Sequence, residues 1–120
     1  MAAYHAPLRD MRFVLTELIG LEPIQRLPGC QDLTPDLIDA ILEEAASLCE
    51  EQLAPLNRGG DEEGCHLEHG GVRTPQGFRQ AYLMFADGGW TGLTADPAYG
   101  GQGLPKVLSI LVDEMVCSSN

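Results

Sequence analysis

The segment that decides the fold runs from Thr34 to Pro55 and reads T-P-D-L-I-D-A-I-L-E-E-A-A-S-L-C-E-E-Q-L-A-P. Its apolar residues recur at intervals of three and four, so they share one helix face, and acidic residues occupy the opposite face. Thr34 can accept a hydrogen bond from a first-turn amide, while Pro35 and Asp36 suit the first turn. The pattern predicts an amphipathic helix that ends near Pro55. Its apolar face contains Leu37, Ile38, Ile41, Leu42, Ala45, Leu48, Cys49 and Leu53.

Three more segments have helical periodicity. Apolar residues between Pro7 and Ile19 lie on one face, and Gly20 and Pro23 follow them. A third helix is predicted to follow the cap-and-proline pair at residues 74 and 75 and to end at the glycines at 88 and 89. The fourth, which Pro105 opens, is apolar almost all round between residues 107 and 116, so we expect it to be buried on several sides.

Glycine-rich and aperiodic stretches separate these helices. Residues 25–33 are expected to form a connection, and residues 57–71 a long loop with a short hairpin near Cys65 and Val72. A second glycine-rich loop spans Pro97 to Gly103. The fold class predicted from the sequence is therefore all-α, with about four main helices and long loops, which usually have a functional reason.

Composition limits the classes of partner. The 120 residues include 18 acidic and 7 basic side chains, for a net charge of -11, which would repel nucleic acid and anionic membrane surfaces. Apolar runs are too short for a membrane span. Charged residues at Arg9, Asp10 and Arg12 interrupt any secretory signal, which predicts a cytoplasmic protein. The cysteines lack C-x-x-C spacing and are expected to be free thiols; they are Cys30, Cys49, Cys65 and Cys117.

Several groups of residues have the chemistry of a binding or catalytic site, but their spacing favours a structural interpretation. Gly100, Gly101 and Gly103 lack the spacing and the preceding strand of a dinucleotide fingerprint, so a tight turn is favoured. Cys65, His66 and His69 could hold zinc, but no fourth ligand stands at a matching spacing, and solvated loop residues are favoured. The carboxylates of the Asp36 helix are interpreted as a solvated face, and the single tryptophan, at position 90, as a packing residue rather than a stacking platform.

The stretch from Gly88 to Leu104 reads G-G-W-T-G-L-T-A-D-P-A-Y-G-G-Q-G-L. It resembles the acyl-CoA dehydrogenase family, whose N-terminal helical domain carries a G-x-x-G-L turn followed by P-x-x-Y-G-G-x-G-L. Residues 53–57 with Gly60 and Asp61, and residues 111–115, are similar to flanking parts of that domain. The opening residues 4–15 resemble an extension found in one branch, often labelled 3-methylmercaptopropionyl-CoA dehydrogenase. We therefore expect an extension and connection at residues 1–33 and the family's N-terminal helical domain, truncated at its C-terminal end, at residues 34–120.

This resemblance implies a flavin-dependent enzyme of fatty-acid metabolism. In the family a glutamate removes the α-proton of an acyl-CoA thioester, the β-hydrogen leaves as hydride to FAD, and an electron-transfer flavoprotein reoxidises the cofactor. FAD contacts mainly two further domains, so we expect none bound by this chain alone and expect the chain by itself to be inactive. The full-length enzyme is expected to be a homo-oligomer. The catalytic position of the family is not matched by any of Glu43, Glu44, Glu50, Glu51 and Glu114.

No catalytic, cofactor-binding or metal-ligating residue is assigned within the chain. The resemblance instead implies one wall of the acyl pocket together with packing surface for the other domains. The candidate wall residues lie in the second glycine-rich loop and are Tyr99, Gly100, Gly101 and Leu104. The alternative hypothesis is a non-catalytic helical interaction module that binds a partner through the apolar faces of its last helix.

Overall fold

A computed structural model describes residues 3–120. The predicted all-α class is confirmed, since helices dominate and the strands form one short hairpin. The helices are α1 (Leu8–Phe13), α2 (Leu21–Gln25), α3 (Pro35–Leu48), α4 (Ala54–Glu63), α5 (Phe78–Asp87) and α6 (Lys106–Ser119). The strands are β1 (His66–Glu68) and β2 (Gly71–Arg73), and 3-10 turns lie at Trp90–Gly92 and Pro97–Tyr99.

Helix α3 begins as its sequence predicts. The Thr34 hydroxyl accepts a hydrogen bond from the Leu37 amide at 3.2 Å, and Pro35 occupies the first turn. The helix then widens into a π-helical segment, Cys49–Leu53, and continues directly as α4. A similar π-helical segment, Val14–Ile19, extends α1. The predicted helix between Pro7 and Ile19 is thus present, with a wider last section.

The predicted end of this long helix near Pro55 is wrong. Helical structure continues to Glu63, so residues 57–63, expected as loop, belong to α4. Pro55 is accommodated because the widened π-helical segment precedes it and a new helical stretch begins beside it, where a missing N–H costs little. The glycine at position 60 allows the ring of Phe78 to pack against α4, because a side chain there would collide with that ring.

Two further predictions concern residues 64–78. The short hairpin is confirmed: β1 and β2 pair antiparallel, with Leu67 opposite Val72. The predicted cap at Thr74 and Pro75 is wrong, because α5 starts at Phe78 after Gly77, whose φ of 87° breaks any helix beginning earlier. A separate short helix, α2, also begins at Leu21, where the sequence indicated only the end of α1.

One apolar core joins the N-terminal segment to the long helices. Leu15, from the extension of α1, is fully buried, as are Leu42 of α3 and Leu108 and Met115 of α6. Outside the core, the Arg12 guanidinium bridges Asp39 and Glu43 of α3 at 2.6 and 2.7 Å. The predicted division into an extension and connection at residues 1–33 and a helical domain at residues 34–120 stays a prediction. Described residues on both sides of this boundary share the core.

The molecule is flat. Its Cα atoms extend over 53 × 38 × 16 Å, and the radius of gyration is 16.6 Å. A compact domain of this length has a radius of gyration of about 14 Å. The structure therefore presents two broad faces instead of a rounded surface. Within residues 3–120, no helix has the length and apolar character that crossing a bilayer would need.

Candidate functional site

The glycine-rich stretch that carries the family resemblance folds into a double loop, defined here as residues 88–104. Backbone hydrogen bonds join its two arms: Gln102 donates to the Gly92 carbonyl at 2.9 Å, Gly103 to Ala95 at 2.9 Å and Leu104 to Leu93 at 3.0 Å. The Asp96 carboxylate caps the 3-10 turn by accepting from the Ala98 amide at 2.8 Å. The Gln102 side chain donates to the Gly89 carbonyl at 3.1 Å.

Glycine is required in the double loop for two different reasons. Gly100 and Gly103 have φ values of 84° and 65°, in the left-handed region that side chains disfavour. Gly101 lies so close to the Ala95 carbonyl that an added Cβ would overlap it. The glycines therefore set the backbone path of this loop.

The double loop is anchored at its base and exposed at its tip. Leu93 is 4% exposed, and Leu104 packs against the core cluster from its edge. Tyr99 at the tip is 89% exposed, and Gly100 beside it is exposed as well. The four predicted wall residues, Tyr99, Gly100, Gly101 and Leu104, thus lie together on one loop. That they contact an acyl chain stays a prediction.

The same geometry bears on cofactor binding. A phosphate cradle needs backbone N–H groups that point outward. Here the amides of Gly100, Gly101, Gln102 and Gly103 donate to carbonyls inside the double loop. The loop's donor set therefore does not fit the pyrophosphate of FAD, which agrees with its interpretation as a tight turn.

The indole of Trp90 belongs to the base of the double loop. It is half-buried and packs against the core cluster, and its ring lies against Gly88, where a side chain would collide with it. These contacts agree with the packing role predicted from the sequence.

Sequence reasoning missed a second feature, an apolar groove between α4, α5 and α6. The groove encloses about 230 Å³ and has no charged residue in its lining. Its lining residues are Leu53, Leu56, Phe78, Ala81, Tyr82, Phe85, Val116 and Asn120. The periodicity of α5 indicates an apolar face, and Leu53 lies on the predicted apolar face of the long helix, but no local pattern shows that these faces meet.

A more polar groove lies between the N-terminal segment, the π-helical segment with the start of α4, and the end of α6. Tyr4, Glu50, Arg58 and Ser119 contribute to its lining. Burial raises the pKa of the Tyr4 phenol above its ordinary value, with further contributions from Cys49 and nearby carboxylates. Burial also raises the pKa of the Cys49 thiol. Both groups stay protonated at neutral pH, so neither is an activated nucleophile or base.

The cysteine-histidine group of the hairpin is spread over exposed positions. Nε2 of His66 lies 2.8 Å from the Glu63 carbonyl oxygen, and His69 occupies the turn with a φ of 51°. Among residues 3–120, no three histidine, cysteine, aspartate or glutamate side chains come together as metal ligands would.

Comparison with known proteins identifies relatives along the whole chain. The chain is 38% identical over 117 residues to 3-methylmercaptopropionyl-CoA dehydrogenase of Ruegeria pomeroyi, and this match covers 98% of the chain. It is 29% identical over 90 residues to butyryl-CoA dehydrogenase of Syntrophomonas wolfei, covering 72% of this chain. A broad-specificity linear acyl-CoA dehydrogenase of Mycobacterium tuberculosis is 25% identical over 123 residues. No protein-family model matches the chain.

The chain is much shorter than these proteins. The matched region covers 20% of the Ruegeria and Mycobacterium proteins and 15% of the Syntrophomonas protein. The chain therefore spans about a fifth of the length of the curated relatives that it matches.

Proposed function

Because the chain belongs to the acyl-CoA dehydrogenase family and corresponds to its N-terminal helical domain, we propose that it is part of an enzyme that dehydrogenates an acyl-CoA thioester between its α and β carbons. The observation that carries this proposal is the similarity to a dehydrogenase over 98% of the chain. Such an enzyme needs a flavin, a base and a thioester pocket that excludes water.

Within that enzyme, this chain contributes packing surface and one wall of the pocket that selects the acyl chain. The double loop holds Tyr99 outward on a backbone fixed by internal hydrogen bonds, so the ring can meet a ligand without reorganising the loop. The Tyr99 side chain combines an apolar ring with a polar hydroxyl, which suits a position between water and an acyl chain. We assign Tyr99, Gly100, Gly101 and Leu104 to one wall of the acyl pocket.

FAD, when bound in the complete enzyme, supplies the acceptor for the hydride from the β carbon. Residues of this chain supply packing around the reaction, and the base and the pyrophosphate contacts belong to residues outside it. The same proposal includes oxidation of the flavin by an electron-transfer flavoprotein, assembly into a homo-oligomer and a cytoplasmic location.

The reaction class is tested on the full-length enzyme. Purified protein should be yellow, and anaerobic addition of a saturated acyl-CoA should bleach the flavin absorbance and yield the 2-enoyl thioester, detected by mass spectrometry. Butyryl-CoA and 3-methylmercaptopropionyl-CoA are the first substrates to use, since relatives carry those names. A flavoprotein that no acyl-CoA reduces would refute the proposed activity.

The pocket wall is tested by Tyr99→Ala in the full-length enzyme, with Leu67→Ala on the hairpin as the matched control. Both side chains are highly exposed in this chain, at 89% and 80%. Burial of an aromatic ring against substrate is worth roughly 1.5–3 kcal/mol, so we expect Tyr99→Ala to reduce kcat/KM about tenfold or more. The Leu67→Ala variant should retain wild-type kinetics. Equal kinetics for both variants would place Tyr99 outside the pocket.

A further inference from the structure

The exposed tip of the double loop is a 3-10 turn, Pro97–Tyr99, which carries the Tyr99 ring. The ring is 89% exposed, so packing within this chain does little to orient it. The direction in which a side chain leaves the backbone depends on the local backbone conformation. The groups that fix the conformation of this turn therefore also fix where the ring can meet a ligand.

Asp96 closes this turn with both its side chain and its backbone. Its carboxylate accepts a hydrogen bond from the Ala98 amide at 2.8 Å. Its carbonyl accepts from the Tyr99 amide at 2.9 Å and from the Gly101 amide at 3.1 Å. The first amides of a helical turn have no acceptor within that turn, and a side-chain oxygen just before the turn supplies one. Asp96 thus binds amides on both sides of Tyr99 and the amide of Tyr99 itself.

The start of the turn is held by the returning arm of the double loop. Gly103 lies so close to Pro97 that an added Cβ would come within 3.0 Å of the proline ring. The ring of Pro97 also restricts its own φ angle, so this end of the turn has little freedom. The Asp96 carboxylate is a part of the arrangement that a substitution can remove without deleting any backbone donor or acceptor. Its contribution can therefore be measured separately from that of the backbone.

We propose that Asp96 is a positioning residue for Tyr99, an inference that rests on the proposed function of the double loop as one wall of the acyl pocket. The carboxylate holds the turn in the conformation that presents the ring, and it acts on the acyl chain only through that ring. Its removal should therefore reduce only the part of catalysis that depends on Tyr99. The loss in kcat/KM cannot exceed the loss caused by removing the ring itself, which we expect to be about tenfold or more.

Steady-state kinetics of the full-length enzyme test this assignment with two probes, butyryl-CoA and dodecanoyl-CoA. The measured quantity is the ratio of the two kcat/KM values, because a loss of folded enzyme lowers both values together and leaves their ratio unchanged. We expect Asp96→Ala to change this ratio about three- to tenfold, in the same direction as Tyr99→Ala. Asp96→Asn retains an acceptor oxygen and should keep the wild-type ratio. In the double variant of Asp96→Ala with Tyr99→Ala, the ratio should equal that of Tyr99→Ala alone.

Gln102→Ala is the matched control. The Gln102 side chain donates to the Gly89 carbonyl at 3.1 Å, which is also a bond between a side chain and the backbone, but at the base of the double loop. Its loss should leave the ratio unchanged. A wild-type ratio for Asp96→Ala, equal changes for Asp96→Ala and Gln102→Ala, or additive changes in the double variant would each overturn the proposal. If Tyr99→Ala itself shows wild-type kcat/KM on both probes, the pocket wall and this inference are refuted together.

Hydrogen exchange gives a second measurement that does not depend on catalysis. The amides of Tyr99 and Gly101 donate to the Asp96 carbonyl, so exchange across residues 97–101 of the full-length enzyme reports whether the turn is closed. We expect Asp96→Ala to accelerate this exchange about three- to tenfold and Asp96→Asn to match the wild type. Unchanged exchange in Asp96→Ala would overturn the proposal. An enzyme that dehydrogenates neither probe would refute the proposed function, and exchange would then decide the hold of Asp96 on the turn by itself.

Discussion

Substituting Gly101 by alanine should destabilise the chain far more than an ordinary glycine-to-alanine change. The position shows no left-handed φ, so the reason is not backbone conformation. An alanine Cβ would overlap the carbonyl oxygen and the carbonyl carbon of Ala95, which are backbone atoms that cannot rotate away. The two arms of the double loop must therefore move apart.

The magnitude follows from the hydrogen bonds that hold these arms. Separation of the arms near Ala95 breaks the bond from Gly103 to Ala95, at 2.9 Å, and the bond from Gly101 to Asp96, at 3.1 Å. Each is worth about 0.5–1.5 kcal/mol net. Displacement of the buried Leu93 side chain adds about 1 kcal/mol of lost packing. We expect a total loss of roughly 2–4 kcal/mol in the free energy of unfolding, which is a large part of an ordinary domain's stability.

Urea unfolding monitored by fluorescence measures this loss, because the single tryptophan, Trp90, lies in the double loop itself. The control is Gly59→Ala, where an added Cβ meets no atom within 4 Å and the residue lies inside α4. Alanine has the higher helix propensity, so this control should stabilise the chain by up to about 1 kcal/mol. If Gly101→Ala unfolds within about 0.5 kcal/mol of wild type, the steric argument is refuted.

Three further predictions concern the stability of the same chain. Leu42→Ala, at a fully buried core position, should cost about 2–5 kcal/mol in calorimetry or urea titration, and a loss below 1 kcal/mol would contradict the assigned core. Thr34→Ala removes the side-chain cap of α3 and should cost about 1 kcal/mol, whereas Thr34→Ser should retain most of it. A hydrogen bond from the Gln76 amide, then the Arg73 guanidinium, lowers the pKa of the Glu63 carboxyl below 4.5. Its contribution to stability is therefore complete above that pH and is lost as the pH falls through the lower folded value. The protection of amides in residues 66–76, taken as the ratio of intrinsic to observed exchange rates at each pH, should therefore fall in acid, and Glu63→Gln should show no such fall.

The fold class was accessible from the sequence because its helices are encoded locally. The spacing in α3 and the cap at Thr34 act within a few residues, and both appear in the structure as predicted. Pro55 misled the prediction because proline usually ends a helix, and the outcome depended on the π-helical segment that precedes it. That segment lies beside α6, where Asn120 bonds the Leu53 carbonyl, so a residue distant in sequence contributes to the local geometry.

The candidate site was accessible only in part. Residues 99–104 are adjacent in sequence, so their placement on one loop was predictable, and the positive φ of Gly100 is a local property. The role of Gly101 was not predictable in the same way, because it depends on the approach of Ala95 across the loop. The apolar groove draws its walls from α4, α5 and α6, and no local pattern specifies which faces of three helices meet.

The sequence motif of the double loop, which carries the family resemblance, specifies a backbone conformation and not a substrate preference. Its glycines are required by the backbone conformation and by close backbone contacts, and its amides from Gly100 to Leu104 donate hydrogen bonds within the loop. We therefore expect a protein that shares this motif to share the backbone path of the loop, whatever acyl chain it accepts. In the proposed pocket wall, specificity would come from side chains that the loop presents, and Tyr99, at 89% exposed, is a large aromatic side chain that it presents. It follows that Tyr99 variants should change the relative rates on short and long acyl-CoA substrates, whereas glycine variants in the loop should lower all rates together through lost stability.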